Sequence, residues 1–324
     1  CVKSSVSRWR YELIIARTRH EPATVACTSM RQHADPVSTA DATFPRPLGL
    51  RFREAAREQL LLAERHLSGE GGDPHKDIHE ARKCIRRTRA MLALGMRELD
   101  PRTGRLDDEL ARLCRGLSRL RDAHALIEAV HRLTPERGHD GGLIQLADEA
   151  ARARRDDMLS REIARDPGFL RRRHRLFALS ERLARLDWEA LDAPRVEAAV
   201  ARSERRVRKA RKRASRRAGG DHDWHAFRRR VRRLRQQDTV LAALCPDLRP
   251  AAGDIDEQAA ALGEAQDDAL VLRHCGRGSP FGTEDRALLR ALANKRLALV
   301  RRRWEKGKGE PRRASVRHGT REPG

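Results

Sequence analysis

The stretch His79-Glu80-Ala81-Arg82-Lys83-Cys84-Ile85-Arg86-Arg87-Thr88-Arg89 occurs again, 146 residues later, as His225-Ala226-Phe227-Arg228-Arg229-Arg230-Val231-Arg232-Arg233-Leu234-Arg235. An α-helix turns about 100° per residue, so His79, Arg82, Lys83 and Arg86 form one stripe, while Ala81, Ile85, Thr88 and Leu92 form another. The second copy sorts the same way, with His225, Arg228, Arg229 and Arg232 on the cationic stripe and Phe227, Val231 and Leu234 on the apolar one. A further pair of segments nearly keeps this offset. Leu120-Arg121-Asp122-Ala123-His124-Ala125-Leu126 corresponds to Ala265-Gln266-Asp267-Asp268-Ala269-Leu270, with Asp122 and Asp267 spaced by 145 residues. Solenoid units are only about 20 to 50 residues long, so the period indicates a duplicated helical subdomain.

Working outward, nearly every periodic stretch from Leu48 onward is helical, and no alternating β-branched run competes. The pattern predicts a helix over 49–68 with Leu60, Leu61, Ala63 and Leu67 toward a core, ending at Gly69-Glu70-Gly71-Gly72. Asp73-Pro74 starts the His79 helix, which is expected to run to about Asp100-Pro101. Leu106, Leu110, Leu113, Leu117 and Leu120 predict one helix over 104–133, punctuated by Thr134-Pro135 and the Gly138 to Gly142 loop. Helices at 143–165 and 168–187 complete the first half, 46–190. Asp192-Ala193-Pro194 marks the boundary, and the second half, 194–305, holds helices at 195–217, from Asp221 or Asp223 to Cys245-Pro246, at 251–275 and at 283–305. Residues 1–45 lack a sustained period, and 306–324 read as a basic disordered tail. A start at Cys1 rather than Met is compatible with a fragment, a processed product or an overlong gene prediction, with Met30 an alternative start.

The composition points to a polyanionic partner. Lys plus Arg number 70 against 47 Asp plus Glu, a formal net charge of +23. Residues 200–235 alone hold 16 basic and 3 acidic side chains, leaving +13 in one helix pair. Aromatic residues make up 3% of the chain, which weakens any reading based on base stacking. The six cysteines form no C-x-x-C pair, and Cys84 and Cys114 read as small core residues of a reducing compartment. No apolar run approaches the roughly 20 residues of a membrane span.

Arginine offers phosphate a planar fork, lysine a mobile point charge, and histidine a donor that gains charge when an anion raises its pKa. A stripe with cations at 0, +3, +4 and +7 spans about 10 Å and can engage several successive phosphates. One such stripe is commonly a solvated face, whereas recurrence in the same frame favours an extended polyanion as ligand. Asp122 and Asp267 read either as exposed helical carboxylates or as anchors that direct arginine side chains. His75 and His79 have i, i+4 metal-pair spacing but no third ligand, and Arg82 and Lys83 oppose a cation, so no metal site and no cofactor are expected. Phosphate-loop and hydrolase motifs are also missing, so no catalytic residue is assigned.

The pattern His-x-x-Arg-basic-x-apolar-Arg-Arg-x-Arg at 79–89 and 225–235, followed by Leu120-Arg121-Asp122 and by Leu262 to Asp267, resembles the CHAD family of histidine-containing α-helical domains that bind inorganic polyphosphate. The resemblance covers about residues 46–305. It implies an all-α fold of two pseudo-symmetric four-helix bundles around a basic central cavity. By position, polyphosphate contacts fall to His79, Arg82, Lys83, Arg86, Arg89, His225, Arg228, Arg229, Arg232 and Arg235. Asp122, Asp267, Arg57, Arg65, Arg208 and Arg211 are expected to support that surface. Arg87 and Arg233 also match, and the angles of Arg87, Arg89, Arg233 and Arg235 put all four toward the stripe edges.

Many members carry a triphosphate-tunnel catalytic domain, for which residues 1–45 are too short, so triphosphatase activity is not expected. His222 adds a second histidine beside His225, and its role stays open. The expected protein is a non-enzymatic module that docks or regulates at polyphosphate granules in the bacterial cytoplasm, with no membrane partner. The rival readings are non-specific nucleic-acid binding, favoured by charge, and phosphoanhydride cleavage using His79 and His225. No feature of the sequence fixes an oligomeric state.

Overall fold

In the computed structural model, residues 46–133, 141–216, 220–250 and 254–305 are described. The 1–45 extension, the 306–324 tail, most of the Gly138 to Gly142 loop and part of the turn before Asp221 lie outside them. The described residues form ten α-helices and no strand, an all-α fold. In chain order these are α1 (Leu48–Leu67), α2 (Pro74–Leu94), α3 (Thr103–Gly116), α4 (Ser118–Leu133), α5 (Gly141–Arg165), α6 (Leu170–Ala184), α7 (Ala193–Ala214), α8 (Asp221–Leu244), α9 (Ile255–His274) and α10 (Thr283–Glu305). Among the described residues no helix is long and apolar enough to cross a membrane.

Local chemistry sets the helix starts that matter for the site. Asp73 caps α2 by accepting the backbone N–H groups of His75 at 2.9 Å and Lys76 at 3.3 Å, with Pro74 in the first turn where no donor is needed. Asp192 caps α7 in the same manner through the N–H of Arg195 at 3.0 Å. The α2 helix ends at Leu94, before the expected Asp100-Pro101. Leu99 folds back over Gly95, where an added Cβ would lie 2.6 Å from the Leu99 side chain.

The expected 104–133 helix is two helices, α3 and α4, broken at Leu117. The Cys114 carbonyl, which in a continuous helix would accept the N–H of Ser118, instead receives the guanidinium of Arg82 and the hydroxyl of Ser118. Leu117 is fully buried at the break, so the leucine spacing runs through it unchanged. In α1 the inward face is Phe52, Ala56, Leu60, Ala63 and Leu67, whereas Leu61 is 42% exposed and does not face the core.

Within the repeats, α1 packs on α2 and α7 on α8, while α4 packs on α5 and α9 on α10. Equivalent helices also meet across the duplication, α2 on α8 and α4 on α9. Gln237, fully buried in α8, ties the first of these pairs by donating its side-chain amide to the Ala90 carbonyl at 3.3 Å. The apolar side chains gather in three clusters, two of which cross the repeat boundary. One joins α1, α2, α3, α6 and α7, a second joins α4, α5, α9 and α10, and a third centres on Phe227 and Trp304. Ala81, Ile85, Thr88, Leu92, Phe227, Val231 and Leu234 are all buried, which fixes the rotation of α2 and α8 and turns their cationic stripes to the opposite side.

Candidate functional site

The two stripes meet. A cavity of about 580 Å³ is lined by His79, Arg82, Arg86 and Arg89 of α2 and by His225, Arg228, Arg229, Arg230, Arg232, Arg233 and Gln236 of α8. Ser118, Arg121 and Asp122 of α4, Gln266, Asp267, Leu270 and Arg273 of α9, and Ala111, Cys114 and Arg115 of α3 close the rest.

The two helices treat their cations differently. On α2, Arg82 is buried and donates to the Cys114 carbonyl and, at 2.9 Å, to the Ser118 hydroxyl. Arg89 forms a bidentate pair with Asp107, Nε to one oxygen at 2.7 Å and Nη2 to the other at 2.9 Å. Burial alone would lower the Arg89 pKa, and the Asp107 carboxylate more than offsets it. Arg86 is the lining arginine of α2 for which the described residues provide neither an ion pair nor a hydrogen bond, and its buried Nε is unsatisfied. On α8, none of Arg228, Arg229, Arg230, Arg232 and Arg233 has a carboxylate within 4.0 Å among the described residues.

Crowding without counter-charge shows in the acidities. Burial, with repulsion from Arg232, lowers Arg86 to about 9. Burial lowers Arg228 to about 10 against the pull of Asp267, with Arg121 and Arg86 repelling it. Arg232 falls to about 10 through burial and then Arg228. All three are still cations at neutral pH, held in a site that favours any dense negative charge. His79 is pushed below its ordinary value of 6.5 by burial and by Arg86. Burial also lowers His225, the Gln266 contact opposing it and Arg229 and Arg228 reinforcing it. His225 Nδ1 lies 3.0 Å from Gln266 Oε1.

Two carboxylates reach the lining. Asp267 is 7% exposed and is held by Arg121 at 3.5 Å and Arg132 at 3.0 Å, both from the first half. Asp122 lies 3.7 Å from the same Arg121.

Six of the residues singled out in the sequence lie off the lining. Lys83 pairs with Glu80 at 3.2 Å, Arg235 with Asp256 at 2.5 Å, Arg57 with Glu181 at 3.2 Å and Arg208 with Glu204 at 3.9 Å. The Arg211 guanidinium sits 5.4 Å from the centre of the Trp304 ring, and Arg65 lies in the last turn of α1. Conversely, Arg115, Arg121, Arg230, Gln236, Gln266 and Arg273 line the cavity without having been singled out, and Arg233 lies on the wall rather than at its edge. Arg121 and Gln266 directly precede the repeated aspartates, a signal that could have found them; Arg115 and Arg273 have none.

His75, the other half of the i, i+4 pair, stacks on His124 with ring centres 5.7 Å apart and lies 3.5 Å from Asp156. Among the described residues no three His, Cys, Asp or Glu side chains are grouped to hold a metal ion.

A solved structure, PptA from Streptomyces chartreusis, shares this fold with a TM-score of 0.57, covering 82% of this chain and 100% of that chain at 18% sequence identity. No curated protein matches the sequence. The CHAD domain profile matches residues 53–276, which take in both copies of the basic repeat and every residue of the cavity wall. That match spans more than half of the chain, and the protein belongs to the CHAD domain family.

Proposed function

We propose that the cavity holds inorganic polyphosphate, and that the protein is a binding module acting at polyphosphate granules in the cytoplasm, where it docks partners or regulates them. The observation that carries this reading is the set of arginines on α8, with Arg86 of α2, that face one space without carboxylate partners among the described residues. Their mutual repulsion is a standing cost in the free protein, and a narrow chain with closely spaced charges relieves it. Each guanidinium can take two phosphate oxygens, and counterion release adds to affinity at low salt.

The role is holding rather than cleaving. The wall is cationic, and its two carboxylates both lie beside Arg121 instead of forming an acidic pair free to bind Mg²⁺. Nucleic acid is the second reading, favoured by exposed Arg205, Arg208 and Lys209 on the outer face of α7. A duplex cannot enter a cavity of about 580 Å³, so it would be confined to that exterior.

Long-chain polyphosphate, double-stranded DNA and RNA should be titrated at matched phosphate concentration across a salt series. Tighter binding of polyphosphate at physiological salt supports the proposal. Equal or tighter binding of DNA would overturn it.

A further inference from the structure

A second chamber of about 340 Å³ adjoins the cationic cavity and shares His225, Arg228, Gln266 and Arg273 with it. Beyond that shared wall its character changes. Trp224, Leu262, Ala265, Ala269, Leu297 and Val300 form most of the remaining surface. The Arg301 guanidinium here is paired with Asp221 and sits 5.8 Å from the centre of the Trp224 ring. Past Arg228 and Arg273 the chamber offers phosphate only His222 and the Asp221-paired Arg301, and an inorganic chain has no apolar atom to place against the remaining walls. Its volume lies within the roughly 300–1,000 Å³ usual for small organic ligands.

We propose that this chamber accepts the organic end of a nucleoside 5′-polyphosphate. The base packs against Trp224 and the aliphatic walls, the sugar passes Gln266 and His225, and the phosphates cross Arg228 and Arg273 into the cationic cavity. This rests on the polyanion reading of that cavity and extends it to a second class of ligand. The two chambers divide one molecule by chemistry: the apolar one selects the base, and the cationic one takes the chain.

Adenosine 5′-tetraphosphate and inorganic tetraphosphate, titrated into the full chain without divalent metal, separate the two claims because the nucleoside form carries the same number of phosphates and less charge. Contact of a base with an aromatic wall is worth about 1–3 kcal/mol, so the nucleoside form should bind about five- to 150-fold tighter. Ala269→Leu, which fills the apolar chamber, should erase that advantage and leave inorganic tetraphosphate binding unchanged. Binding of the nucleoside form no tighter than the inorganic one in the unaltered protein would overturn the inference while leaving the polyphosphate site intact. Equal weakening of both ligands by Ala269→Leu would also overturn it. If neither ligand binds, the reading of the cationic cavity fails and the inference falls with it.

Discussion

Helices α2 and α8 carry the same repeated stripe, yet one is largely held by the protein and the other is left free for a ligand. On α2, Arg82 is bound to the α3–α4 break, Lys83 to Glu80 and Arg89 to Asp107, which leaves Arg86 open. On α8, five lining arginines have no carboxylate within 4.0 Å among the described residues, and Arg235, away from the wall, takes the ion pair. Part of the difference is a single position: Glu80 beside His79 is replaced by Ala226 beside His225. On the proposed reading, the surroundings of the two basic helices make α2 mainly a structural element and α8 the main source of anion affinity.

The largest expected effect tests that division directly. Charge-assisted hydrogen bonds are worth about 1.5–3 kcal/mol each, so Arg228→Gln with Arg232→Gln should weaken polyphosphate binding by roughly a hundredfold or more. Arg86→Gln should cost about tenfold by the same reasoning. Equal losses from the two helices, measured by titration calorimetry at fixed salt, would break the comparison.

Stability should move in opposite directions. Arg82→Gln removes the donor bound to the Cys114 carbonyl and Ser118, and should destabilise the fold by about 1–3 kcal/mol. Arg232→Gln removes a half-buried cation that Arg228 and Arg82 repel, and should raise the melting temperature of the ligand-free protein by a few degrees, about 1 kcal/mol. Thermal unfolding without polyanion checks both signs.

A smaller effect concerns pH. His79 and His225 both lie below 6.5 in the free protein, by burial first and then by neighbouring guanidiniums, so they are mostly neutral at pH 7. Bound polyanion favours the imidazolium and raises both pKa values, so binding takes up protons and affinity rises as pH falls from about 8 toward 6. The free fold behaves oppositely. Its histidine pKa values are depressed, the unfolded chain binds more protons in that window, and stability is lost as pH falls below 6.5 and through the folded values. His79→Gln with His225→Gln should flatten both slopes, read from calorimetry in buffers of different ionisation heat and from melting curves.

The smallest effect sharpens the role of the local carboxylate. Ala226→Glu places an acid three residues before Arg229, as Glu80 stands before Lys83, and should weaken polyphosphate binding by about two- to fivefold while leaving helicity unchanged. An unchanged affinity would remove Glu80 from the explanation of why the two helices differ.

The helix faces were legible because a period of 3.6 residues fixes which side chains share a stripe, and the buried Ile85, Thr88, Phe227 and Val231 agree with it. Convergence of the two stripes was available only through resemblance, since no local pattern encodes contact between α2 and α8. The break at Leu117 was hidden because Leu110, Leu113, Leu117 and Leu120 keep helical spacing across it, while its cause, Arg82, lies 32 residues upstream of Cys114. Leu61 illustrates the limit of composition. Leu60 and Leu61 are about 100° apart, and only Leu60 turns inward. The Glu80–Lys83 pair could be read from i, i+3 spacing, but Asp107, which neutralises Arg89 from α3, could not.

The central claim is that both halves feed one site, and stoichiometry tests it most directly. Long-chain polyphosphate should be titrated calorimetrically into the native protein, Arg86→Gln and the Arg228→Gln, Arg232→Gln double variant under identical salt. A common cavity predicts reduced affinity in both variants with the number of phosphates bound per protein unchanged. Variants that retain half the capacity at undiminished affinity would show two independent sites and contradict the account.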